Sequence, residues 1–137
     1  MKITKKYVDA VTYEIIGAAI EVHKELGPGL LENVYEKCFV KEMVLRGFNV
    51  KNQIVVPIEF KGLFIDANLR LDVLVEDLIV VELKSVEKLS ALFEAQVLSY
   101  MKLLKLPKGV LINFCCINIF KEGQKTFVNE LYANLPD

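Results

Sequence analysis

An α/β layered domain with a mixed central sheet is the fold class that the sequence predicts, with residues 1–137 forming one domain. Three observations point to it. The first third of the chain repeats apolar residues every three or four positions, and the middle switches to a strand-like period. A further helical stretch then separates the third strand from the fourth. That placement fits a crossover, which would make those two strands parallel.

Each element can be read in turn. Over residues 6–26, Val8, Val11, Ile15, Ala19, Val22 and Leu26 form one stripe of an amphipathic helix. "ELGPG" at 25–29 stops it. A second helical pattern runs from Leu30 to about Arg46 through Val34, Cys38 and Leu45, and Gly47 closes it. "FNVKNQIVVPIEF" reads as a strand whose Pro57 favours an edge or a bulge. Lys61-Gly62 turns into a second strand over roughly 63–75, and Glu76-Asp77 turns again into a third, Leu78 to Val86. Ser90 can N-cap a helix to about Leu104, apolar on most sides and therefore expected to be largely buried. Pro107-Lys108-Gly109 ends that segment, and "VLINFCCI" is a fourth strand. A last hairpin turns at Glu122-Gly123, and the chain closes with a short polar tail.

Composition narrows the function classes. At 53% hydrophobic and 26% charged residues the chain is expected to be compact and globular. A net charge of −1 gives no bulk electrostatic support for nucleic-acid binding. Lys2, Lys5 and Lys6 form one small basic cluster and Lys102, Lys105 and Lys108 another; exposed lysines of this kind are usually just solvated. No apolar run approaches the ~20 residues of a membrane span, and the basic N-terminus lacks the apolar core of a signal peptide. Cys38, Cys115 and Cys116 make no disulfide framework and read as reduced thiols of a cytoplasmic protein. No Cys/His spacing suits a metal, and the lone His23 reads as a packed or surface residue. Mean hydropathy of +0.36 is high for a soluble monomer and points to a homo-oligomeric interface, a homodimer being expected.

Two strands carry charges out of keeping with their surroundings. In "VVELKSVEK", Glu82 and Lys84 share a face by alternation. On the preceding strand, Leu69, Leu71, Val73 and Val75 are expected on one face, leaving Arg70, Asp72 and Leu74 on the other. Whether Asp72 meets Glu82 depends on the turn. A two-residue loop at 76–77 pairs Asp72 with Val81 and sends Glu82 to the far face; the odd loop Glu76-Asp77-Leu78, or a bulge, pairs Asp72 with Glu82. Together the two carboxylates would supply hard oxygen ligands for Mg²⁺ or Mn²⁺, and the lysine could manage the attacking water and developing charge. E-x-K alone is a weak pattern that a cross-strand ion pair on a solvated face would also produce.

The spacing Asp…Glu-x-Lys resembles the core of the PD-(D/E)XK nuclease superfamily. "ALFEAQVLSYMK" adds Gln96 and Tyr100 four apart on one helical face, resembling the Q-x-x-x-Y of the RecB-like branch. The stretch "GPGLLENVYEKCFVKEMVLRG" resembles the family named for its G-x-x-E-x-x-Y signature, here Gly29, Glu32 and Tyr35. With "RLDVLVEDLIVVELKSVEKL", "EAQVLSY" and "LINF" following in order, the likeness covers most of the chain.

The resemblance implies a restriction-endonuclease-like three-layer fold and Mg²⁺- or Mn²⁺-dependent hydrolysis of phosphodiesters in DNA. It casts Asp72 and Glu82 as metal ligands with the Leu83 carbonyl, and Lys84 beside the attacking water. Glu32 completes the site, and Gln96 and Tyr100 position the substrate strand. Arg70 matches an R-x-D pattern and either contacts a phosphate or pairs with the carboxylates. Tyr35 is expected to pack, Glu36 to be a solvated neighbour, and Asn113 has no assigned role. The competing expectation is a catalytically silent nuclease-fold module that serves as a dimeric DNA-docking or protein-interaction scaffold. Small size and neutral charge favour it somewhat, whereas the set Asp72, Glu82, Lys84, Gln96 and Tyr100 argues for the nuclease, because a pure scaffold has no chemical need for all five.

Overall fold

The computed structural model describes residues 2–137; Met1 lies outside the described residues. Helix α1 (Lys5–Leu26) starts where the Thr4 hydroxyl accepts the Tyr7 N–H and ends at Gly27, whose φ of +70° favours glycine. Helix α2 spans Glu32–Leu45. The strands and remaining helices follow as β1 (Val50–Val55), β2 (Ile58–Phe60), β3 (Leu63–Ile65), β4 (Arg70–Val75), β5 (Ile79–Lys84), α3 (Ala91–Leu104), β6 (Lys108–Asn113), α4 (Ile119–Glu122), β7 (Gln124–Val128) and α5 (Glu130–Ala133).

Five strands form a mixed sheet in the order β1-β4-β5-β6-β7. Among the described residues only β5 and β6 run parallel, joined by α3 as crossover. Two cores flank the sheet, making three layers. On one side α1 and α2 contribute Val8, Ile15, Tyr35 and Phe39 against Val73, Val81, Leu83 and Ile112. On the other, Val97, Tyr100 and Met101 of α3 lie against Leu74, Val80 and Leu111. This is the layered α/β architecture with a mixed central sheet that the sequence pattern predicts, and its three layers are those the resemblance implies.

Several elements differ from the sequence expectation. The long first and second strands are each broken: residues 56–57 separate β1 from β2, and 66–69 separate β3 from β4. Pro57 lacks a donor for the ladder, and β2 with β3 becomes a separate two-stranded hairpin. The strand through "VLINFCCI" stops at Asn113, and a turn of helix, α4, stands before the expected hairpin turn. The tail forms α5. Helix α3 buries only one face, leaving Leu92, Leu98 and Leu103 exposed, and Ser90 sits at its N-cap without a side-chain cap bond. Lys108 is not part of a surface cluster. It is buried, 3.9 Å from Asp9 and over the Tyr132 ring, and burial lowers its pKa. No helix among the described residues is long and apolar enough to cross a membrane.

Helix α3 approaches the sheet closely because β6 carries Gly109. A Cβ there would lie 2.5 Å from Val97 Cγ1 and 2.7 Å from Met101 Sδ. Gly109→Ala is therefore expected to cost ~1–3 kcal/mol in chemical denaturation through overpacking, although alanine suits a strand better than glycine.

Candidate active site

The turn between β4 and β5 sets the register. Glu76 and Asp77 both adopt positive φ, +55° and +51°, and Leu78 N–H closes the turn onto the Val75 carbonyl at 3.0 Å. Left-handed backbone is unfavourable for Glu, and local bonds compensate. The Glu76 carboxylate accepts the Asn49 N–H at 2.7 Å and the Tyr7 hydroxyl at 3.0 Å, and its own N–H donates to the Asn49 carbonyl. Leu78 is the third loop residue because its side chain is buried in the α1–α2 core. Pairing then runs Val75 to Ile79, Leu74 to Val80 and Val73 to Val81. This is the odd-loop register, which carried one step further sets Asp72 opposite Glu82.

At that step the backbone ladder stops and side chains take over its rungs. The Asp72 N–H donates to Glu82 Oε1 at 3.1 Å, and the Leu83 N–H donates to Asp72 Oδ2 at 2.9 Å. The simple alternation expected along β4 also fails here. Leu69 and Leu71 pack with the α3-side core, while Val73 and Val75 pack on the other side. The break coincides with Gln53 on β1, at φ +52°, which falls out of the β1–β4 pairing beside Asp72. Asp72 consequently lines a cavity of about 410 Å³ with Glu32, Asn33, Glu36, Gln53 and Leu83.

Glu82 is only 3% exposed. Burial, and then the Asp72 carboxylate beside it, push its carboxyl up to about 9, against an opposing pull from Lys84. Lys84 is half-buried with its ammonium 4.5 Å above the Phe93 ring. Tyr100 is buried under the same pair. Its phenol pKa is raised by burial and by the charges of Glu82 and Asp72. Gln96 lies one turn earlier on α3, half-buried.

Glu32 lines the Asp72 cavity from the start of α2, and its Oε1 accepts the Ser85 N–H at 3.3 Å. Glu36 accepts from Gln53 Nε2 at 2.7 Å and Asn52 Nδ2 at 3.3 Å, supporting the irregular part of β1. Arg70 stands apart from the carboxylates: its guanidinium reaches the Gln53 carbonyl at 3.5 Å and lines a different cavity with Pro57 and Phe64. Tyr35 packs, as expected, stacked on Phe114 at 4.2 Å, while its hydroxyl donates to the Gly27 carbonyl and accepts the Leu30 N–H. His23 bridges α1 to the Cys116 carbonyl at 2.8 Å.

Two supporting residues were given no role from sequence. Ser85 donates its hydroxyl to the Leu30 carbonyl at 2.6 Å, tying the end of β5 to the loop before α2. Asn113 clamps the chain just past Lys84, accepting the Val86 N–H at 3.1 Å and donating to its carbonyl at 2.9 Å. A buried amide in the apolar run "VLINF" was the available signal for Asn113; nothing local flags Ser85.

A family model described as the PD-(D/E)XK nuclease superfamily matches residues 9–127, which is most of the chain. The chain belongs to the PD-(D/E)XK nuclease superfamily. No curated protein and no solved structure matches it. Nucleases of this superfamily act on nucleic acid and typically use divalent metal ions. Among the described residues no group of three or more His, Cys, Asp or Glu side chains is arranged to hold a metal. The acidic set offered here is the Asp72–Glu82 pair, with Glu32 across the cavity.

The raised Glu82 pKa has a measurable consequence. Between its ordinary value of 4.5 and about 9 the folded protein retains a proton that the unfolded chain releases. Stability of the chelator-treated protein therefore falls as pH rises through that window. Glu82→Gln is expected to flatten the slope and to melt roughly 3 °C or more above wild type at pH 8, read by thermal denaturation from pH 5 to 9.

Proposed function

We propose that this chain, acting as one domain over residues 1–137 and as a homodimer, is a Mg²⁺- or Mn²⁺-dependent nuclease that hydrolyses phosphodiester bonds in DNA. Within the superfamily the reading places it with the G-x-x-E-x-x-Y family and the RecB-like branch, on Gly29, Glu32, Tyr35, Gln96 and Tyr100. The observation that carries it is the meeting of Asp72 and Glu82 where the β4–β5 ladder opens. Two carboxylates held this close, one of them buried and kept protonated near neutral pH, are an unfavourable arrangement for a folded core. A divalent cation would let both ionise, so the donor set fits one.

Asp72, Glu82 and the Leu83 carbonyl would hold the ion, leaving its other positions to water and phosphate oxygens, as Mg²⁺ prefers. When bound, the ion supplies Lewis-acid stabilisation of charge on the phosphoryl group and a lowered pKa for water. Lys84 stands two residues past Glu82, where its ammonium orients the attacking water and offsets the charge developing on the phosphate. Glu32 completes the acidic wall of the cavity. The Tyr100 phenol, with its pKa raised, stays a hydrogen-bond donor and, with Gln96, orients the substrate strand. Arg70 lies outside this cluster and would serve only a phosphate farther along the strand.

The test is Mn²⁺ titration by calorimetry of wild type, Asp72→Ala and Lys84→Ala, followed by a DNA cleavage assay. Asp72→Ala is expected to abolish metal binding and cleavage. Lys84→Ala should retain the metal and lose ~10²-fold or more in cleavage rate. Metal binding indifferent to Asp72→Ala, with no cleavage by wild type, would assign the chain to the scaffold class instead.

A further inference from the structure

The hairpin β2–β3 projects from the sheet as a two-stranded unit of its own, joined to β1 and β4 at its base. Its ladder pairs Ile58 with Ile65 and Phe60 with Leu63, so these four side chains occupy one face. That face is wholly apolar, yet it points to solvent, with Phe60 62%, Leu63 60% and Ile65 42% exposed. A lone two-stranded hairpin is marginal in water unless its apolar face is covered. The surrounding charges are balanced, with Glu59 and Asp66 against Lys61 and Arg70.

We propose that this face is the homodimer interface, packed against the same face of a second copy of the chain. The balance of charge decides between occupants. A polyanionic strand would select a surplus of lysine and arginine, whereas two acids and two bases can each meet an opposite charge across a twofold axis. One such face presents on the order of 400 Å² of apolar surface, half of the roughly 800 Å² per partner that a stable dimer needs, so the proposed interface also takes in the hairpin's polar rim and strand edges. The high mean hydropathy of +0.36 is accounted for in the same way. Because β1 and β4 also carry Gln53 and Asp72, this interface would stand next to both copies of the candidate site. The inference rests on the homodimer part of the proposed function and not on its chemistry.

Sedimentation velocity on the full chain at tens of micromolar tests it. Wild type is expected to sediment as a dimer, and Phe60→Glu and Leu63→Asp each as a monomer with unchanged far-UV circular dichroism. Phe120→Asp, at an exposed apolar residue on α4, should remain dimeric. A dimer that survives both hairpin substitutions overturns this interface while leaving the homodimer standing. A monomeric wild type overturns both. So does a monomer that binds a single-stranded oligonucleotide only while Phe60 and Leu63 are intact, which would give the face to nucleic acid.

Discussion

Two carboxylates replace backbone rungs at the point where β4 and β5 part, and the rest of the site is arranged around that replacement. Asp72 and Glu82 are bound to main-chain N–H groups that would otherwise have paired strand to strand. Such bonds favour the ionised form, but burial and mutual repulsion oppose it, and for Glu82 the opposition wins. A sheet that simply needed to be stable would place apolar residues here. The register producing this contact depends in turn on three loop residues, two in left-handed backbone and one buried as an anchor.

The loop before α2 gives the G-x-x-E-x-x-Y residues a physical sense. Gly29 has φ +99°, a conformation that strains any other residue. Tyr35 pins that loop at both Gly27 and Leu30 while its ring stacks on Phe114 in the core. Glu32 and the Leu30 carbonyl then engage Ser85, the residue after Lys84. Phe114 itself follows Asn113 and donates its N–H to the Lys84 carbonyl at 2.9 Å. The end of β5 is thus held from the α2 side and from β6, which fixes where the lysine leaves the strand.

Helix α3 closes the other face. Its close seating over Gly109 brings Tyr100 down onto the acidic pair, near enough for both carboxylates to raise its pKa. The site therefore draws on both cores, and displacement of either helical layer would disturb it.

Much of this was legible in the chain itself. Hydrophobic period gave the two leading helices, the parallel crossover and the mixed sheet, because each depends on local spacing and connection length. The E-x-K pair and Asp72 stood out as charges inside apolar runs, and the motif order pointed to the superfamily. Other features could not be read locally. Whether the 76–78 loop held two or three residues was decided by Leu78 finding the core and Glu76 finding Asn49 and Tyr7. The break in alternation at Asp72 coincides with Gln53 leaving the pairing on the neighbouring strand, and Arg70 reaches the Gln53 carbonyl rather than the acidic pair. Sequence by itself determined the leading helices, the crossover and which charges fall inside apolar runs, since those follow from periods a few residues long. Only the tertiary structure decided register, face and the partners of Glu32 and Asn113, because those contacts close over tens of residues, where pattern carries no phase.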